Sequence, residues 1–322
     1  MEPPMPNLRA IPAGLRTRFA PAPTGDLHLG HLVNAALVWG IARATGGSVA
    51  LRIEDHDRQR ARPAWEAGIL ADLERLGLIP DVPPLAELRA GPSAWRQSDH
   101  PERYVAALAP LRAAGRVYGC DCTRTSVAAW GAAHGRPWSG PGCPGRCADR
   151  GLAETPDRTL RLALGAGTEA WDDLALGPQA GEPAAHGDLP VRDRAGNWTY
   201  AWCVVVDDLH DGIGCVIRGL DLAASTPVQL RVARFLAGAH PARFLHHPLV
   251  RHPDGTKLSK SDGATAVRAL LAAGADRAGL LADALRAAGI PGVPRLVAPD
   301  ALGAVVAAAR AGAAEGAAPD VG

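Results

Sequence analysis

The sequence predicts an α/β protein built on a parallel sheet, and three observations carry that expectation. The strand-like run RTRFA (16–20) is followed by a Pro/Gly loop, Pro21 to Gly25, and then by a helical pattern from about Gly30 to Thr45. Gly46-Gly47 stops this helix and SVALRI (48–53) reads as a second strand, which completes a βαβ unit. Further along, WCVVVDD (202–208) and CVIRG (215–219) are short apolar runs rich in β-branched residues, as buried strands are.

The remaining elements follow in order. Helices are expected over 63–77, bounded by Pro63 and Gly77, and over 101–115, bounded by Pro101 and Gly115. Residues 128–151 are rich in Gly, Pro and Cys and read as loop. Residues 157–200 mix short strand signals with turns such as Gly196-Asn197. A helix from Pro227 to Gly238 precedes a strand at HHPLV (246–250). From about residue 300 the chain is Ala/Gly-rich and is expected to add little to the core.

Composition narrows the class. The 322 residues are 47% hydrophobic and 21% charged, a globular balance long enough for a sizeable core, so disorder throughout is excluded. A net charge of +1 excludes a uniformly basic polyanion binder but leaves room for a local basic face. No apolar stretch reaches the roughly 18 residues of a membrane span, and residues 1–15 lack the apolar core of a signal peptide. A cytoplasmic location is therefore expected. Four of the six cysteines fall between 120 and 147, which points to a metal in a reducing compartment rather than to disulfides. Only two lysines, Lys257 and Lys260, stand against 32 arginines. Where lysine is so scarce, a pair three residues apart suggests work that arginine cannot do.

Two segments carry chemistry. In RFAPAPTGDLHLGH (18–31) a strand ends, a tight loop follows, and His28-Leu-Gly-His31 opens a helix. A helix N-terminus offers free N–H groups and a positive dipole end, both suited to phosphate. Gly30 leaves room for a nucleotide, and His28 and His31 share a helical face from which imidazoles reach phosphate oxygens. In KLSKS (257–261), after the turn Pro253-Asp254-Gly255, two ammonium groups are placed to neutralise a triphosphate as charge builds on a leaving pyrophosphate. Taken singly, each segment also fits an ordinary solvated loop.

Together, and in order with LRIEDHD (51–57), VVVDD (204–208), VIRGLDL (216–222) and KLSKSDGA (257–264), these blocks resemble the glutamyl-tRNA synthetase branch of the class I aminoacyl-tRNA synthetases. The resemblance covers roughly residues 16–265. Only 62 residues follow Lys260 in the 322-residue chain, too few for the helical anticodon-binding region of the full-length enzymes. The sequence thus resembles the short family of glutamyl-queuosine tRNA(Asp) synthetases. That resemblance implies ATP-dependent, tRNA-independent activation of L-glutamate as an adenylate. Transfer of the glutamate to the queuosine base in the anticodon loop of tRNA(Asp) would follow. A truncated synthetase charging a tRNA 3′ end, and an inactive RNA-binding paralogue, are the competing readings.

The resemblance also assigns residues. His28, His31, Lys257 and Lys260 are the expected catalytic contacts, with His28, Gly30, His31 and Lys260 on ATP and Mg²⁺ accompanying it. The expected glutamate pocket is Arg18, Phe19, Ala20, Pro21, Ala22, Glu54, Tyr200 and Arg218. Arg18 and Arg218 would bind substrate carboxylate, Glu54 the ammonium, and Tyr200 would offer a hydroxyl; Arg218 could instead cap Asp221. Asp207 and Asp208 are expected to end a strand at the cleft and receive no acid/base role, since an ionised carboxylate needs no base to attack ATP. Cys120, Cys122, Cys143 and Cys147 form an all-sulfur set for one structural Zn²⁺, with His134 a weaker competitor and Cys203 and Cys215 small core residues. RNA is expected to meet clustered arginines such as Arg112, Arg116, Arg124, Arg146 and Arg150.

The implied organisation begins with an N-terminal extension (1–15). A Rossmann-like catalytic domain (16–100 and 201–265) is interrupted by an inserted zinc-bearing, RNA-facing α/β subdomain (101–200). A short helical region (266–299) and a tail (300–322) follow, with no anticodon-binding domain. Neither a membrane nor an obligatory protein partner is expected.

Overall fold

A computed structural model describes residues 7–135, 142–240, 242–250 and 266–312. The chain starts as expected, with strand β1 (Arg16–Phe19), helix α1 (Leu29–Ala44) and strand β2 (Ser48–Leu51), and β1 pairs parallel to β2 in register Arg16 to Ser48. Helices α2 (Pro63–Leu76), α3 (Leu85–Ala90) and α4 (Pro101–Ala113) follow, two of them with proline in the first turn, where its missing N–H costs nothing. The left-handed Gly77 (φ +72°) closes α2. Strand β3 (Val117–Cys120), helix α5 (Arg124–Ala133) and strands β4 (Thr159–Leu162), β5 (Glu169–Asp173), β6 (Gly177–Gly181) and β7 (Leu189–Arg192) come next. The last part holds helix α6 (Tyr200–His210), strand β8 (Cys215–Gly219), helix α7 (Thr226–Ala237), strand β9 (Arg243–His247) and helices α8 (Val267–Ala272), α9 (Arg277–Ala287) and α10 (Leu302–Gly312).

Two sheets result. A six-stranded sheet runs β2-β1-β8-β9-β5-β6, parallel except for the final β5–β6 hairpin, and an antiparallel sheet runs β3-β4-β7. The expected boundary at residue 200 does not follow the strands. β5 and β6, from the expected insertion, complete the main sheet, whereas α6 buries Trp202 to Val206 in one core with Tyr104, Leu162 and Val191.

Three expectations are corrected. The run 202–208 is not a strand but the middle of α6. Every residue from Trp202 to Asp208 is buried, so no polar face reveals the helical period, and β-branching alone misleads. The strand expected at 246–250 lies earlier, at Arg243–His247, because Pro248 has no N–H to continue the ladder. The chain after 300 does reach the core. α10 lies against α1 with Leu302 and Val306 buried. Its small residues are what permit the contact: a Cβ on Gly40 would stand 2.7 Å from Val306 Cγ2, and one on Gly303 2.5 Å from Arg43 Cβ. Alanine and glycine carry little apolar surface but let two helix backbones approach closely.

Candidate active site

The carboxyl ends of β1 and β8 and the amino end of α1 surround a cavity of about 420 Å³. Arg18, Ala20, His28, Gly30, His31, Glu54, Tyr200 and Arg218 all line it, with Asn34, Asp221 and His247. Ligands sit at this end of parallel sheets because strand ends and helix N-termini converge there. Three of the expected pocket residues do not line it. Phe19 turns into the core and meets Trp39 edge-on, with ring centroids 5.8 Å apart. Pro21 is buried and its carbonyl accepts the Glu54 N–H at 3.1 Å, so it places Glu54 through the backbone. Ala22 is half-buried outside the cavity. Lys257 and Lys260, with all of KLSKS, lie outside the described residues.

The two histidines are held by the helix start itself. His28 is the N-cap of α1; its Nδ1 accepts the Gly30 N–H at 3.1 Å, and His31 Nδ1 accepts the His28 N–H at 3.1 Å. A neutral ring that accepts at Nδ1 carries its proton on Nε2. The pair therefore presents two N–H donors, on rings 3.9 Å apart, at the positive end of the helix. Gly30 is also needed to seat the His28 ring. A Cβ there would stand 2.9 Å from His28 Cε1 and displace the ring.

Arg18 and Glu54 sit in a buried ion network that Asp207 and Asp208 organise. Arg18 Nε donates to Asp208 Oδ1 at 3.1 Å, and Arg52 donates to Asp208 at 2.8 Å, to Asp211 at 3.1 Å and to Glu54 at 3.1 Å. Asp207 receives Arg103 at 2.7 Å, Gln97 at 2.8 Å and the Tyr104 hydroxyl at 2.9 Å. Placing the acidic pair on a helix makes this possible, since consecutive helical residues diverge by about 100° and serve two different groups of partners. Burial pushes the Asp208 carboxyl up, but Arg18 and Arg52 outweigh it and hold it below the ordinary range. For Glu54 burial prevails over the single Arg52 contact, and its carboxyl is raised.

Arg218 is different. It is 4% exposed, and among the described residues no carboxylate lies within ion-pair distance; Asp221 is not its partner. Its nitrogens donate to neutral acceptors: His246 Nε2 at 2.9 Å, Gln229 Oε1 at 2.6 Å and Thr226 Oγ1 at 2.8 Å. Burial accordingly lowers its pKa. A buried cation without a counter-ion at a cavity wall is a receptor for an anion. No sequence signal marks His246, Gln229 or Thr226 as partners of Arg218. The adjacent histidines of β9 were the nearest signal.

The cysteine cluster lies apart, at the end of β3. Sγ atoms of Cys120, Cys122, Cys143 and Cys147 all fall within 4.8 Å of one another, with Cys122 Sγ 3.7 Å from Cys143 and 3.5 Å from Cys147. A tetrahedron with metal–sulfur bonds of about 2.3 Å has edges of about 3.8 Å, so the spacing fits Zn²⁺. The thiol chemistry fits as well. The hydrogen bond from Cys143 brings Cys120 down to about 4, while burial pushes Cys122 up to about 12. Cys120 thus ionises readily, whereas Cys122 needs a cation to do so. His134 is exposed at the end of α5, bonded to the Trp130 carbonyl, and does not belong to the set. Of the five arginines expected to meet RNA, Arg112 and Arg150 are paired to Glu154 and Asp121, at 2.9 and 2.8 Å, and Arg116 covers the Phe235 ring.

A parallel sheet with this histidine-bearing helix start at its switch point is the catalytic architecture of a class I tRNA synthetase. Residues 14–291 match the family model described as tRNA synthetases class I (E and Q), catalytic domain. The glutamyl-Q tRNA(Asp) synthetase of Ralstonia nicotianae is 41% identical over 91% of this chain and 93% of its own length; that of Symbiobacterium thermophilum is 41% identical over 88% and 90%. The chain belongs to the glutamyl-Q tRNA(Asp) synthetase family, a group of ligases within that class. In fold it is similar to a glutamate tRNA ligase from Elizabethkingia meningosepticum, solved in complex with its amino acid. The TM-score is 0.72 at 24% identity, over 91% of this chain and 64% of that one.

Proposed function

We propose that the protein activates L-glutamate with ATP, without tRNA, and transfers the glutamyl group to the queuosine base in the anticodon loop of tRNA(Asp). The observation that carries the reading is the buried, carboxylate-free Arg218 facing the same cavity as Arg18, Glu54 and the two histidines. Arg18 and Arg218 bind substrate carboxylate, the Glu54 carboxylate receives the α-ammonium, and the Tyr200 hydroxyl completes the pocket. The α-carboxylate of glutamate attacks the α-phosphorus of ATP; a phosphoanhydride bond breaks and pyrophosphate leaves with its electron pair. No base is required, because the attacking group is already ionised. His28 and His31 donate to phosphate oxygens as charge develops, and Lys257 and Lys260 are assigned to the same charge. Mg²⁺, carried in with ATP, supplies further neutralisation of the triphosphate. The four cysteines hold one structural Zn²⁺ that steadies the β3 end of the second sheet. The zinc-bearing segment within 101–200 is the proposed RNA-facing part, and the cytoplasm is the proposed compartment.

The test is transfer of labelled glutamate to tRNA(Asp) with and without queuosine. Label only on queuosine-containing tRNA supports the reading. Label on tRNA regardless of queuosine would restore a 3′-end synthetase, and no label on either would point to an inactive paralogue.

Two further results are expected. Gly30→Ala should lower glutamate-dependent ATP–pyrophosphate exchange about a hundredfold by displacing the His28 ring, with little change in melting temperature. Glutamate binding should weaken on acidification at a pH above the ordinary glutamic acid range, because the raised Glu54 carboxyl takes up its proton early and then repels nothing and attracts no ammonium. Bound ammonium favours the carboxylate, so the acid limb of kcat should lie below that of kcat/KM. Coincident acid limbs at the ordinary carboxyl pH would remove Glu54 from the ammonium site.

A further inference from the structure

The groups that fix Arg218 lead back through the sheet. Its Nε donates to His246 Nε2 at 2.9 Å, so that nitrogen is bare and the ring proton is on Nδ1, where Asp173 Oδ2 accepts it. Asp173 Oδ1 is fixed in turn by the backbone N–H groups of Ala175 and Leu176, both at 3.0 Å. Asp173, His246 and Arg218 are 3%, 1% and 4% exposed. They stand on β5, β9 and β8, three neighbouring strands, so the line runs across the sheet from an anchored carboxylate to the cavity wall. Of the five N–H donors of a guanidinium, three are used by His246, Gln229 and Thr226, and the Tyr200 hydroxyl meets the guanidinium from the cavity side.

We propose that Asp173 and His246 are positioning residues for substrate recognition: Asp173 locks the Nδ1–H tautomer of His246, and the bare Nε2 aims the Arg218 guanidinium at the glutamate carboxylate. The inference rests on the reading of Arg218 as a glutamate contact. Gln229 and Thr226 cannot impose the aim alone, because a glutamine amide turns over and a hydroxyl rotates, each exchanging donor for acceptor. An imidazole fixed at its far nitrogen by a carboxylate has no such freedom. With the opposite tautomer, His246 Nε2–H would face Arg218 Nε–H, two donors at hydrogen-bond distance, and the guanidinium would turn from the cavity. The joining of β5 to the main sheet gains a purpose here, since it brings Asp173 behind β9.

Asp173→Asn is the discriminating variant. It keeps the shape and leaves an amide oxygen for the Ala175 and Leu176 N–H groups, but its NH₂ faces His246 and forces the tautomer over. ATP–pyrophosphate exchange should show the KM for glutamate raised between about ten- and a hundredfold, with the KM for ATP within about twofold of wild type. His246→Leu should behave alike, and His246→Gln, whose amide oxygen accepts from Arg218, should recover most of the loss. An unchanged KM for glutamate in both Asp173→Asn and His246→Leu, or equal losses for glutamate and ATP, would overturn the positioning role. Absence of glutamate-dependent exchange in the wild-type protein would instead overturn the glutamate reading, and the relay with it. Ring ¹⁵N shifts of His246 in the wild-type chain give an answer that does not depend on the variants folding: Nε2 is expected unprotonated, and a protonated Nε2 would overturn the proposal.

Discussion

Arg52→Met is expected to cost the folded protein about 3–5 kcal/mol, the usual penalty for removing one partner from a buried ion network. Arg52 is 1% exposed and is the common partner of Glu54, Asp208 and Asp211. Without it, Asp208 keeps only Arg18, and Glu54 loses the ion pair that partly offsets its burial. A urea titration followed by far-UV circular dichroism reads the loss. The double variant Arg52→Met with Asp208→Leu should recover little of it, because Glu54 and Asp211 still lose Arg52 and the buried Arg18 then loses Asp208. The acid limit moves as well. Asp208 is held below its ordinary value in the folded state, so its contribution is complete above the unfolded pKa and is lost as pH falls through the lower folded one. Taking Arg52 away raises Asp208, and acid unfolding should then begin at a higher pH. A variant as stable as wild type at neutral pH would show that the network is dispensable to the fold.

Removing the proposed zinc is expected to separate the two proposed activities. The cysteine cluster forms its own small core with Tyr118, Val127 and Leu152, apart from the core that carries β1, α1 and β2. Chelation, or Cys143→Ser, should therefore release about one zinc per chain and expose the thiols to titration. It should also abolish transfer of glutamate to tRNA while leaving glutamate-dependent ATP–pyrophosphate exchange within about threefold of its starting value. Metal-replete protein that contains no zinc on elemental analysis would contradict the assignment. So would a parallel loss of exchange and transfer.

Much of this arrangement is legible in the residues, and what is not has a common cause. The βαβ start is readable because proline, glycine and polar residues punctuate it, and HLGH is readable because it sits where the strand hands over to the helix. Four cysteines with close spacings find one another, as their chemistry requires. The run 202–208 misleads because α6 is buried on all sides, and burial erases the periodicity by which helix and strand are told apart. The buried partners of Arg218 are illegible for another reason. Asp173 and His246 are 73 residues apart in the chain and only the strand order of the main sheet makes them neighbours, while Gln229 reaches Arg218 from α7. The value of Asp207 and Asp208 is likewise invisible without Arg18, Arg52 and Arg103 beside them.

The contact between α1 and α10 also sets a schedule for the newborn chain. The apolar side of α1 leaves the ribosome early, but its cover, α10, is made from residue 302 onward. Synthesis must add about 260 residues in between, which at about 5–20 residues per second takes roughly 10–50 s. β1 waits almost as long for β8, its neighbour on the inner side of the sheet. During that interval a strand edge and a helix face stand open in a crowded cell, long compared with the microseconds in which chains collapse. Folding yield during synthesis should accordingly depend on holding chaperones and on translation speed, and faster elongation over residues 45–300 should raise it.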